Sequence, residues 1–116
     1  MPLKKNFTAE HNRLQADILV ALSKQNLGMF WANATGAGTS PSGEWIRYGL
    51  IGSSDIIGVL NSGRAIFIEV KTGKATQSPQ QLKFEAAIKA RNGLYFVARG
   101  VQNVLSFVEA ATAITV

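Results

Sequence analysis

Apolar and polar positions along the chain follow two different periods. Leu14, Ile18, Ala21 and Leu22 recur at the spacing of an amphipathic helix, which the pattern places from Thr8 as N-cap to about Asn26. Gly28 stands just beyond, where a left-handed residue commonly stops a helix. Residues 32–44 (ANATGAGTSPSGE) are small, polar and glycine-rich, and predict a mobile surface loop without strands. From Trp45 the pattern becomes strand-like, with WIRYGLIG, then DIIGVL, then RAIFIEVKT. Asn61-Ser62-Gly63 joins the last two as a hairpin connection.

Within Ala65 to Lys71 side chains alternate, so Ile66, Ile68 and Val70 face the core while Phe67, Glu69 and Lys71 face the other way. Ser78-Pro79-Gln80-Gln81 carries two helix-start signals, a capping box and a proline in the first turn. That helix runs to about Arg91 and stops at Asn92-Gly93. LYFVAR is a short strand, and Val104, Leu105 and Val108 mark a last helix from Val101 to about Ala113. The predicted class is α/β in the order α-β-β-β-α-β-α, a mixed central sheet flanked by helices and one domain over residues 1–116.

Composition narrows the possibilities. With 116 residues, 47% hydrophobic and 16% charged, the chain can build one core and is neither a disordered tail nor a multidomain assembly. No apolar run approaches the roughly 20 residues of a membrane span, and the opening MPLKKNFTAEHNR turns polar at once. The expectation is a soluble, cytoplasmic protein with no membrane partner. The chain has no cysteine and a single histidine, His11, so disulfides, thiol nucleophiles, zinc fingers and multi-histidine metal centres are excluded. Any metal ion is therefore expected to be held by oxygen ligands. A net charge of +5 favours an anionic partner, and nucleic acid is the commonest for a small basic domain.

One constellation carries chemistry. Asp55 opens a strand just after a Gly-Ser-Ser turn, and Glu69-Val70-Lys71 ends the neighbouring strand. Two carboxylates and an ammonium therefore converge. A hard divalent cation takes such carboxylates, keeps several waters and acidifies one of them for attack on phosphorus. Lys71 lies about 7 Å along the strand from Glu69 on the same face, placed to orient the attacking water or neutralise charge on the phosphate.

These residues resemble the PD-(D/E)xK nucleases, and within them the VRR-NUC group. The matching text is Glu10 with Leu14-Gln15, Asn33 to Gly36, Gly49-Leu-Ile-Gly52-Ser-Ser-Asp55-Ile56, Gly63-Arg64, Ile68-Glu69-Val70-Lys71-Thr72, Ser78-Pro79-Gln80-Gln81 with Phe84, and Gly93 to Arg99. The proline of the superfamily name is absent, since Ser54 precedes Asp55. The resemblance implies a restriction-endonuclease-like core and a stand-alone phage-type member, in the host cytoplasm if phage-encoded. It implies Mg²⁺, with Mn²⁺ able to substitute, held by Asp55, Glu69, the Val70 backbone carbonyl and Glu10. It also implies Lys71 as the motif lysine and Gln81 assisting from the following helix, with Gln80 as a competitor. The implied activity is structure-specific DNA endonuclease cleavage of branched DNA, four-way junctions included, by a homodimer.

Each residue also has a plainer reading. Glu10 would favour the positive end of its helix, and Asp17, about 20° away around the helix, is the rival acid. His11 points to a different face and receives no role. Gln81 is the capping-box partner of Ser78, a duty that one rigid rotamer is not expected to combine with a second. Trp31, Trp45 and Phe30 read as core or dimer interface. Arg47, Lys74 and Lys83, with Asn33 of the loop, are the expected contacts to nucleic acid; Lys89, Arg91 and Arg99 complete the basic set. The rival functions are a non-catalytic nucleic-acid-binding module on the same fold, or a nuclease for flaps, linear duplex or RNA.

Overall fold

In the computed structural model, which describes residues 2–34 and 36–113, the elements run α1 (Pro2–Gln25), β1 (Gly28–Ala32), β2 (Gly36–Thr39), β3 (Trp45–Tyr48), β4 (Ile56–Leu60), β5 (Ala65–Val70), α2 (Pro79–Ala90), β6 (Leu94–Ala98) and α3 (Val101–Ala113). Thr35, inside the loop segment quoted above, lies outside the described residues. The main sheet has the strand order β1-β4-β5-β6, with β6 parallel to β5 and the other pairs antiparallel. The α/β class and the mixed sheet flanked by helices are as the pattern predicts. No helix of the described residues is long and apolar enough to cross a membrane.

The β4–β5 hairpin is the centre of the sheet. Gly63, at φ +91°, supplies its left-handed turn residue, and Ile56 pairs with Ile68 across it. Ile56, Ile66, Ile68 and Val70 are fully buried against Ile18 and Leu22 of α1 and Val104 and Val108 of α3. On the opposite face, Phe84 of α2 meets Phe67 of β5 edge-on at 5.3 Å and Tyr95 of β6 at 6.2 Å. Helices therefore cover both faces, α2 on one as the parallel crossover from β5 to β6, α1 and α3 on the other.

Several boundaries differ from the sequence reading. Two further strands precede β4, so the order is α-β-β-β-β-β-α-β-α. β1 is the edge strand beside β4, a five-residue run too short to show a clear alternation. β2 is Gly-Ala-Gly-Thr, whose lack of large apolar side chains leaves no periodicity to read. Of the segment 32–44 expected as a loop without strands, residue 32 thus ends β1 and residues 36–39 form β2, which pairs with β3 as a separate two-stranded ribbon closed by a turn in which the Gly43 N–H donates to the Ser40 carbonyl at 2.8 Å. The predicted strand WIRYGLIG is strand only over Trp45–Tyr48 and pairs with β2 rather than joining the main sheet.

Helix α1 begins at Pro2 rather than at Thr8, since proline is suited to a first helical turn and nothing between it and Thr8 breaks a helix. Its left-handed terminator is Asn26 at φ 60°, not Gly28. Gly28 starts β1, where a Cβ would come within 2.7 Å of the Val59 carbonyl oxygen. Phe30 packs against the core, but Trp31 and Trp45 are exposed, Trp45 by 71%.

Candidate metal centre and catalytic site

Asp55 reaches its place through a fixed loop. The Asn33 side-chain amide donates to Ser53 Oγ at 2.8 Å and to the Ser54 carbonyl at 2.9 Å, and the Asn33 backbone N–H donates to the Asp55 carbonyl at 2.7 Å. Buried Ser54 donates its hydroxyl to the Ile56 carbonyl at 3.0 Å. Gly52, at φ +85°, lets this loop touch the start of α2, where a Cβ would sit 2.6 Å from the Gln80 carbonyl oxygen. Asp55 stands one residue before the Ile56–Ile68 pair and Glu69 one residue after it, so the two carboxylates emerge side by side. The Val70 N–H donates to Asp55 Oδ2 at 2.8 Å and holds that side chain across the strand ends.

Glu69 is 3% exposed. Its Oε2 accepts from Gln81 Nε2 at 2.9 Å and lies 3.5 Å from Lys71 Nζ. Its Oε1 is buried without a hydrogen-bond partner. Burial first, and the neighbouring Asp55 carboxylate second, push the Glu69 carboxyl from an ordinary 4.5 up to about 8, against the opposing pull of Lys71. An orphaned oxygen on a buried acid beside a second acid is costly unless a cation or a proton joins them.

Gln81 does in a single rotamer what the sequence reading assigns to two. Its Oε1 accepts both the Ser78 backbone N–H, at 2.8 Å, and Lys71 Nζ, at 2.9 Å, while Nε2 donates to Glu69. The capping box is completed by the Gln81 N–H donating to Ser78 Oγ at 3.2 Å. A carbonyl oxygen has two lone pairs, so capping the helix and steadying the lysine are compatible. Gln80 is exposed.

The first helix departs from expectation. Glu10 and Asp17 are both exposed, and α1 turns Thr8 and His11 towards the site instead, His11 Nε2 lying 3.4 Å from Asp55 Oδ2. His11 stands seven and eleven residues before the buried Ile18 and Leu22, hence within about 20° of each around the helix. The sequence contains that spacing, but only packing decides that Ile18 and Leu22, rather than Leu14, are the centre of the stripe from which it must be measured. Thr8, His11, Asp55, Glu69, Val70, Lys71, Thr72, Ala75 and Gln81 line an open cleft of about 410 Å³.

The expected nucleic-acid contacts are dispersed. Arg47 on the β2–β3 ribbon, Lys74 after β5 and Lys83 on α2 are exposed. Asn33 is half-buried, with its amide committed to the loop before Asp55. Arg99 donates to the Gly73 and Ala75 carbonyls, Arg91 to the Ala87 carbonyl, and Lys89 pairs with Glu85 at 2.7 Å. Those three brace their own surroundings.

A solved structure described as a VRR_NUC domain superposes on this chain with a TM-score of 0.60, covering 91% of this chain and 97% of that one at 18% identity. The chain has the VRR_NUC fold. No protein-family model matches the sequence, and no curated protein does.

The site's donors fit an oxygen-preferring divalent cation. Among the described residues no three His, Cys, Asp or Glu side chains form a ready metal cage. Mg²⁺, however, is ordinarily held by one or two carboxylates and keeps its waters. Asp55 and Glu69 supply that number, and the unpartnered Oε1 of Glu69 is an atom such a cation would satisfy.

Proposed function

We propose that this protein is a divalent-metal-dependent nuclease hydrolysing DNA phosphodiester bonds, with Asp55 and Glu69 as metal ligands. The observation that carries this reading is the buried Glu69, with one oxygen unpartnered and its carboxyl pushed up to about 8 beside Asp55 and Lys71. A divalent cation bound there, Mg²⁺ or Mn²⁺, supplies a Lewis acid for the phosphate oxygens and an acidified water. The strand ends place the two carboxylates side by side, the Val70 N–H fixes Asp55, and Val70 offers a backbone carbonyl beside them. Lys71, held by Gln81, presents its ammonium to the negative charge that grows on the phosphate. The VRR_NUC fold and the net charge of +5 support a nucleic-acid substrate. Arg47, Lys74 and Lys83 are the exposed cations proposed to track its backbone.

Branched DNA, four-way junctions included, is the proposed substrate. Symmetric cutting of a junction requires two centres, so a two-fold homodimer accompanies that reading. The deciding experiment compares cleavage of a labelled four-way junction and a matched linear duplex in Mg²⁺, Mn²⁺ and EDTA, for the wild type and Lys71→Ala. The expected result is junction-preferring cleavage that EDTA abolishes and Lys71→Ala lowers about 10²–10³-fold. Tight binding without cleavage of any substrate would overturn the nuclease and leave a binding module.

A further inference from the structure

Two carboxylates, a lysine and a glutamine of the cleft have tasks in the reading above, and His11, the imidazole that lines it beside them, does not. We propose that His11, although it does not stand with Asp55 and Glu69 as a ready three-ligand cage, turns to become a nitrogen donor when the cation binds, making the centre a mixed nitrogen and oxygen site that favours Mn²⁺ over Mg²⁺; this rests on the metal-centre reading above. Its Nε2 lies 3.4 Å from Asp55 Oδ2. That is longer than an ordinary N–H···O bond of about 2.7–3.2 Å. Two donor atoms at that separation are both within reach of one shared cation.

The neighbouring contacts restrict what else the imidazole can do. Asp55 Oδ2 is already held by the Val70 N–H at 2.8 Å, so the aspartate does not depend on His11 for its orientation. The α1 acids do not compete, because Glu10 and Asp17 are exposed. The helix therefore brings an imidazole nitrogen where a third carboxylate would have raised the negative charge. Imidazole binds the transition metals in preference to Mg²⁺, which takes oxygen ligands almost exclusively. Selectivity is the property this donor changes.

Because His11 is the only histidine in the chain, a spectroscopic signature of imidazole has a single source. The test is Mn²⁺ titration of the full chain followed by electron paramagnetic resonance and electron spin echo, with Mg²⁺ competition. Wild type, His11→Ala, His11→Gln and Glu69→Gln are compared, with circular dichroism reporting the fold of each. The expected result is directly coupled imidazole nitrogen in wild type and its loss in both His11 variants. Mn²⁺ affinity should fall at least about tenfold in His11→Ala. Mg²⁺ affinity should fall less than about threefold, so that the preference narrows. Mn²⁺ bound without imidazole coupling, yet lost in Glu69→Gln, would overturn the role of His11 and leave the metal centre standing. Mn²⁺ binding that survives Glu69→Gln would overturn both.

Discussion

The two faces of the sheet are built on opposite terms. On the face covered by α1 and α3, eight aliphatic side chains, from Ile18 and Leu22 through β4 and β5 to Val104 and Val108, are at most 1% exposed. On the face covered by α2 no helix residue is fully buried, and the contacts are spaced aromatic edges and a string of polar bonds. The first face is close-packed hydrocarbon, which holds the fold. The second stays open at the end where Asp55, Glu69 and Lys71 emerge, and there the chain tolerates a buried acid with an unpartnered oxygen. Stability and chemistry are thus separated by the two-residue period of β5, whose even-numbered residues from Ile66 serve one face and whose odd-numbered residues serve the other.

Substitutions within this one strand should break that separation in opposite directions. Glu69→Gln is expected to lower cleavage by about 10³-fold or more, as loss of a charge-stabilising group in a water-poor site does, while leaving the metal-free protein at least as stable as wild type. Cleavage rates beside denaturant midpoints test it, and a large stability loss would show that Glu69 supports the fold. Ile68→Ala, one residue away, should cost about 2–5 kcal/mol of stability and leave the metal affinity of the folded fraction unchanged. Equilibrium denaturation and Mn²⁺ titration measure the two quantities separately.

A third comparison uses pH. The Glu69 carboxyl is held at about 8 in the fold against an ordinary 4.5, so the folded state retains its proton longer than the unfolded chain. Its contribution is present in full below about pH 4.5 and is lost as pH rises through about 8. Metal-free wild type should therefore lose stability across that window, and Glu69→Gln should flatten the loss. Thermal melts in chelator at stepped pH decide it, and equal slopes would contradict the burial argument. The smallest expected effect is that of Ser78→Ala, about 1 kcal/mol from a lost helix cap. Because Gln81 also holds Lys71 and Glu69, cleavage should fall alongside, and a change in stability alone would show the cap and the site to be independent.

Much of this arrangement was legible in local patterns. The alternation in RAIFIEVKT, the Asn-Ser-Gly turn and the Ser-Pro-Gln-Gln start are short-range signals, and the hairpin, the α2 cap and the shared face of Glu69 and Lys71 follow from them. β1 and the β2–β3 ribbon were not legible. Their pairing partners are distant in sequence, or their residues too small to leave a period.

The sequence by itself therefore determined the α/β class, the central hairpin and the identity of Asp55, Glu69 and Lys71 as neighbours, because a period of two and a short turn act over a few residues. Tertiary structure alone decided that His11, and not Glu10, meets Asp55, and that one Gln81 rotamer serves both helix and lysine. Consecutive helical residues point about 100° apart, so only the packing of α1 on the sheet and on α3 fixes which of two neighbours looks into the cleft.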